Sequence, residues 1–179
     1  MRVFLDFEAS SLSKRSYPVE VAWIFEDGRS EAHLIRPAPG WDDWDVEAEA
    51  IHRIPRATLE AEGTPHDIVA TRMVAALTGH DLLASAPSWD GKWLSVLLRG
   101  AGLPRHSLRL RDSDAAMAEA VAELLGDVVE RDTLIADILA RTELRGVVPA
   151  HRALADAEAE RQRWFAVLEE ARRVAVSRG

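Results

Sequence analysis

The first apolar run of the chain, "RVFLDFEAS", carries two carboxylates one residue apart. Its valine, phenylalanines and leucine belong to a buried strand. In a strand, residues i and i+2 point to one face, so Asp6 and Glu8 project side by side. Adjacent carboxylates repel, and burying them unpaired is expensive. A fold built on this strand must therefore leave its end in solvent or bring a neutralising group to it. Divalent cations suit the second case, because hard cations take carboxylate oxygens.

The rest of the composition narrows the classes. With 179 residues, 47% of them apolar, the chain has a real core and the length of one domain, 1–179. It has no cysteine, which excludes disulfides, thiolate metal sites and a cysteine nucleophile. Any metal must be held by oxygen or imidazole. No signal peptide and no membrane-length apolar run is visible, so a soluble cytoplasmic protein with no membrane association is the expectation. The net charge is −8, and residues 1–50 hold 11 acidic against 5 basic residues. "WDDWDVEAE" supplies five of those acids. That balance argues against coating long nucleic acid by bulk electrostatics. Lys14 and Lys92 are the sole lysines; the prevalence of arginine suits bidentate phosphate contacts, or reflects coding bias.

Along the chain, "RVFLDF", "VEVAWIF" and "SEAHLIRP" read as strands, the last two joined by "EDG" with Gly28 free to take positive φ. "WDVEAEAIHRI" reads as a short helix broken by Pro55, with Thr58 capping a following turn. "TPHDIVATRMVAALTG" reads as a helix capped by Thr64, with Pro65 at its first position and Ile68, Val69, Met73, Ala76 and Leu77 on its apolar side. "DLLAS" is a short strand, "SWDGKWLSVLLRGAG" a helix ending at Gly100, and "SLRLRD" a strand. Ser113 caps the next helix, another covers 130–144, and after Pro149 a final helix covers 151–175, with Leu154, Ala157, Trp164, Phe165 and Leu168 inward. This order predicts a mixed five-stranded α/β sheet: three antiparallel strands, then strand–helix alternation, with helices on both faces.

Two more segments offer carboxylates. In "HRALADAEAE", His151 precedes Asp156 by five residues, a rotation of about 140° on a helix. Both reach one place only if His151 lies in the loop or at the cap. In "SAPSWDGKWL", Asp90 opens a helix after a short strand. Ligands gather near such strand ends, although Asp is also common in a helix's first turn for reasons of dipole alone.

Taken in order, "DFEASSL", "SWDGKWL" and "HRALAD" resemble the three motifs of the DnaQ-like DEDDh 3′–5′ exonuclease superfamily. "AIHRIP" stands where that family often has Ile-His-Gly-Ile, and the resemblance covers residues 3 to about 170. It implies a ribonuclease H-like fold. It implies that Asp6, Glu8, Asp90 and Asp156 hold two Mg²⁺ or Mn²⁺ ions, that His151 is the general base, and that 5′-mononucleotides leave a single-stranded or short DNA or RNA 3′ end. By the same resemblance the backbone at Ala9 and Ser10 approaches the terminal nucleotide and His52 lines the site. Related enzymes often pair, so a homodimer is compatible with it. Ser10 and Ser11 replace the family's common Thr-Gly, and Arg53 its Gly. Two rival functions share the fold: a non-catalytic nucleic-acid or protein binding module, and a phosphoesterase acting on small nucleotides. Trp89 and Trp93 flank Asp90, and core packing is the default for both. Trp41 and Trp44 lie among acids, where a protein contact is the more natural role.

Overall fold

In a computed structural model of the chain, which describes residues 1–143 and 150–178, the first three apolar runs form β1 (Arg2–Ala9), β2 (Pro18–Phe25) and β3 (Ser30–Arg36). They pair antiparallel, and Gly28 sits at φ 94° in the second turn. β2 is buried at every position, so it must be covered on both faces. α1 (Val46–His52) is capped by Asp45, whose side chain accepts from the Glu47 N–H. It ends at Arg53, which has φ 59°. Glycine takes that left-handed conformation without strain, which is why the resemblance has glycine there.

The next segment departs from expectation. Pro55 opens a full helix, α2 (Arg56–Glu62), and Thr58 lies inside it rather than capping a turn. Thr64 and Pro65 are not the start of a helix either. They form β4 (Thr64–Pro65), parallel to Ile35 and Arg36, and α3 (His66–Leu77) starts after them with no side-chain cap. Gly63 permits this approach, since a Cβ there would run into Leu59 O and the Arg36 backbone.

β5 (Asp81–Ala84), α4 (Pro87–Gly100), β6 (Leu110–Asp112), α5 (Ser113–Leu125), α6 (Arg131–Thr142) and α7 (Ala153–Arg178) follow. Asp112, not Ser113, caps α5 by accepting from Ala115 N–H at 2.8 Å. Ser113 is buried and donates to Glu160. Residue 144, the expected end of the sixth helix, and the break at Pro149 lie outside the described residues.

Among the described residues the sheet has six strands in the order β4-β3-β2-β1-β5-β6, the five expected plus the two-residue β4. Val3, Leu5 and Phe7 face α3 and α4 on one side; Phe4 faces α5, α6 and α7 on the other. α7 buries Ala153, Ala157, Glu160, Trp164, Val167 and Ala171, a four-three spacing that makes one continuous stripe. Leu154 and Phe165 each fall one residue past that stripe and are exposed, as is Ile68 beside the Val69–Met73–Leu77 row of α3. Trp41 and Trp44 are half-buried, both rings packing on Tyr17 at 5.2 and 6.5 Å. No helix among the described residues is long and apolar enough to cross a membrane.

The start of α7 is fastened to β2 by Glu20. Its buried carboxylate accepts from Arg152 at 2.7 and 3.1 Å and from Ala153 N–H at 3.0 Å. Removing one partner of a buried charge pair is costly because the donors left behind lose their acceptor. Because Arg152 is half exposed and Glu20 also repels Asp6 and Glu8, Glu20→Ala is expected to lower unfolding free energy by only about 1–2 kcal/mol, measured by denaturant melting. A variant as stable as the parent would show that this clamp contributes nothing.

Candidate active site

Residues 4, 6 and 8 of β1 share one face, so Asp6 and Glu8 continue the face on which Phe4 packs against Trp164, ring centroids 6.0 Å apart. From Trp164 back to Asp156 is eight residues of α7, about 12 Å. From Phe4 to Glu8 is four residues of strand, about 13 Å. With α7 lying antiparallel over β1, the matched lengths bring Asp156 to the two acids. One carboxylate oxygen from each of Asp6, Glu8 and Asp156 lies within 4.8 Å of the others. β5 runs parallel to β1, and α4 starts just beyond its end, at the C-terminal edge where open sheets collect ligands. Asp90, in the first turn of α4, enters the same cavity of about 450 Å³, and His151 lines it too. All five polar residues singled out from the motifs thus meet at one place, with Asp90 outside the tight carboxylate triad.

The site is short of positive charge. Burial and then the neighbouring Asp90, Glu8 and Asp156 hold the Asp6 carboxyl well above the usual range. Burial, Asp156 and Glu20 push Glu8 up to about 7. Burial pushes Asp90 up to about 7 as well, against hydrogen bonds with the Phe7 and Ala86 backbone. One Asp90 oxygen, Oδ2, is buried with no hydrogen-bond partner. Arg152, the nearest arginine in sequence, is engaged by Glu20. A converging all-oxygen donor set with an orphaned carboxylate oxygen and no paired cation fits hard divalent ions such as Mg²⁺ or Mn²⁺. Asp6, Glu8 and Asp156 are the residues that would hold them, with Asp90 across the cavity.

His151 lies just before α7, not on it, at φ 52°. That conformation costs a histidine about 1 kcal/mol, and it is fixed from both sides. Asp156 accepts from Ala150 N–H at 2.9 Å and Arg152 N–H at 3.3 Å, while Glu20 holds Arg152 and Ala153. The two acids pin the backbone flanking His151, which resolves the 140° problem posed by its spacing from Asp156.

Other expected contacts fall elsewhere. Ala9, Ser10 and His52 do not line the cavity. Ser10 is fully buried and exchanges hydrogen bonds with Tyr17 and Asp45, closing the loop behind β1. His52 is 2% exposed; its Nδ1 accepts from Ile54 N–H, its ring meets Trp44 edge-on, and burial depresses its pKa. The two tryptophans of α4 divide: Trp93 is buried and donates to Ser16 Oγ at 3.0 Å, while Trp89, stacked on it at 5.6 Å, remains 39% exposed in the cavity wall. Glu20 and Arg152 were not singled out by motif. The signal for Glu20 is the one Asp6 gives, a lone acid in an otherwise apolar strand.

Raised carboxylate pKa values mean that the folded, metal-free chain binds more protons than the unfolded chain. The stability contributed by Glu8 and Asp90 is therefore complete below their unfolded values, near 4, and is lost as pH rises through about 7. Metal-free protein is expected to melt at lower temperature at about pH 8 than at about pH 5. Asp6→Asn is expected to raise the metal-free midpoint by a few degrees, roughly 1–2 kcal/mol of relieved repulsion. A midpoint that rises with pH over that interval, or falls in the variant, would contradict the electrostatic description.

No protein-family model matches the chain, and no curated protein sequence matches it. Solved structures do. A zinc-bound complex of E. coli exonuclease I with single-stranded DNA aligns at TM-score 0.66 and 20% identity, over 97% of this chain and 41% of that one. E. coli exonuclease I with a dT13 oligonucleotide aligns at TM-score 0.67 and 19% identity, over 98% and 42%. An apo exonuclease I structure gives 0.65 and 18%, over 94% and 42%. The chain spans about two fifths of the length of these proteins. The chain thus has the ribonuclease H-like α/β fold expected from its strand order, shared over nearly its whole length with those structures.

Proposed function

We propose that the protein is a metal-dependent 3′–5′ exonuclease that hydrolyses the terminal phosphodiester of a single-stranded or short DNA or RNA end and releases 5′-mononucleotides. The observation that carries the proposal is the meeting of Asp6, Glu8 and Asp156 oxygens within 4.8 Å, in a cavity that also holds Asp90 and His151. The exonuclease I structures that share the fold, several of them complexes with single-stranded DNA, support the class of substrate. The direction of hydrolysis follows the motif resemblance.

Two bound divalent ions would supply the charge that acidifies the attacking water and offsets charge on the phosphate oxygens. Asp6, Glu8 and Asp156 would hold them, with Asp90 contributing from the same cavity. An imidazole nitrogen of His151 takes the proton of the attacking water, the general-base task that imidazole performs most often. The loop clamp of Glu20 and Asp156 holds the backbone that places His151 at the cavity wall. Trp89 offers an exposed aromatic face beside the reacting end, where a base can stack.

Incubation with a 5′-labelled oligonucleotide and Mn²⁺ tests the proposal. A ladder shortened from the 3′ end is expected. Binding without cleavage would favour a non-catalytic module, and hydrolysis of small nucleotide esters alone would favour a phosphoesterase; either would overturn it. His151→Ala is expected to lower turnover by a factor on the order of 10²–10⁴ with Mn²⁺ affinity unchanged. Loss of Mn²⁺ binding in that variant would make His151 a ligand rather than a base.

A further inference from the structure

In a chain of net charge −8, residues 91–111 contain no aspartate or glutamate, yet they carry Lys92, Arg99, Arg105, His106, Arg109 and Arg111. This arc begins at the active site, runs down α4 and returns through a loop to β6. Arg111 is engaged by Asp81 and Glu119, and Lys92 donates to Ser13 O and Ser16 Oγ. Arg105 and Arg109 are different. Both are exposed, and among the described residues neither lies within ion-pair distance of a carboxylate. Arg105 Nε donates to His106 Nε2 at 2.9 Å, which leaves its terminal N–H groups free.

Arg105, His106 and Arg109 form one wall of a groove of about 460 Å³; Gly91, Leu94 and Ser95 of α4 form the other. Asp90 and Trp93 line the catalytic cavity, and Gly91 and Leu94, the residues next to them, line this groove. Consecutive helical residues point about 100° apart, so the two concavities flank the same turn of α4. At Gly91 a Cβ would meet nothing within 4 Å, so the passage past that turn is open. Unpaired guanidinium groups present the planar fork that matches phosphate oxygens.

We propose that this groove binds the phosphodiester backbone of the strand upstream of the 3′ end, with Arg105 and Arg109 as phosphate ligands. The proposal rests on the nuclease function above and extends it. A strand leaving the carboxylate cavity crosses the first turn of α4, past Trp89, and enters the longest acid-free run of an acidic protein. Attraction thus begins a few nucleotides from the reacting end, so longer strands gain affinity that a dinucleotide cannot.

The test compares the parent with Arg105→Ala/Arg109→Ala and with Arg105→Lys/Arg109→Lys, using a dinucleotide and a 15-mer, as DNA and as RNA. KM, kcat and fluorescence-anisotropy binding of the 15-mer are measured at two salt concentrations. For the alanine pair, KM for the 15-mer is expected to rise on the order of tenfold, and the log–log salt slope to shrink by about 1.4, two single-strand phosphate contacts. Dinucleotide hydrolysis should be unchanged, and the lysine pair should recover most of the slope. Equal KM and equal slope for parent and alanine pair on the 15-mer would overturn the groove while leaving the nuclease function intact. If the parent hydrolyses nothing yet binds the 15-mer with an Arg105- and Arg109-dependent slope, the groove stands and the catalytic proposal falls. An acidic peptide that displaces the 15-mer at equal concentration would also overturn the assignment.

Discussion

Asp6, Glu8 and Asp156 are held together against their own repulsion, and much of the surrounding structure serves to hold them. Phe4 and Trp164, on the same face of β1 and α7, supply apolar contact two residues and two helical turns away from the acids. Small residues at the start of the buried stripe of α7, Ala153 and Ala157, let the helix come close to the sheet. Glu20, whose strand position is directly opposite Glu8, adds to the negative field yet also locks the start of α7 through Arg152 and Ala153. Asp156 has two jobs, since its oxygens cap the loop that carries His151 as well as face the other acids. Asp156 is therefore fixed by the loop it caps, and the strand and helix that carry the three acids are locked together beneath them.

Charge is partitioned around this centre. The acids of residues 41–49 lie in the segment of Trp41 and Trp44, whose rings pack on Tyr17, while residues 91–111 carry no acid and supply the groove of Arg105, His106 and Arg109. The net charge of the chain therefore says little about where a phosphate strand lies; local distribution decides.

Much of this was legible in sequence where a local pattern and the tertiary environment agree. The three-strand meander followed from apolar runs and a Gly28 turn. The meeting of Asp6, Glu8, Asp90, His151 and Asp156 at one cavity was legible from the motifs, because carboxylates in apolar surroundings stand out as anomalies. What was not legible depended on contacts distant in sequence. Thr64-Pro65 before a helical pattern reads as a cap, and only pairing with Ile35 makes it a strand. Ile68, Leu154 and Phe165 match helical spacing as well as their neighbours do, but the orientation of each helix on the sheet leaves them outside. Ser10 and His52 stand in motif-like positions, yet their polar atoms close loops behind the cavity. Glu20 is conspicuous as a lone acid in an apolar strand, but its role is not legible because its partner is 132 positions away.

The central claim, that these carboxylates form a metal centre, is tested most directly by calorimetric titration of Mn²⁺ into the protein at about pH 6 in two buffers of different ionisation enthalpy. With Glu8 and Asp90 both pushed to about 7, ligand carboxyls are largely protonated there, and an ion must displace those protons to bind. The account predicts saturable binding whose apparent heat differs between the buffers by an amount that reports proton release. No saturable binding, or a heat independent of buffer, would contradict it.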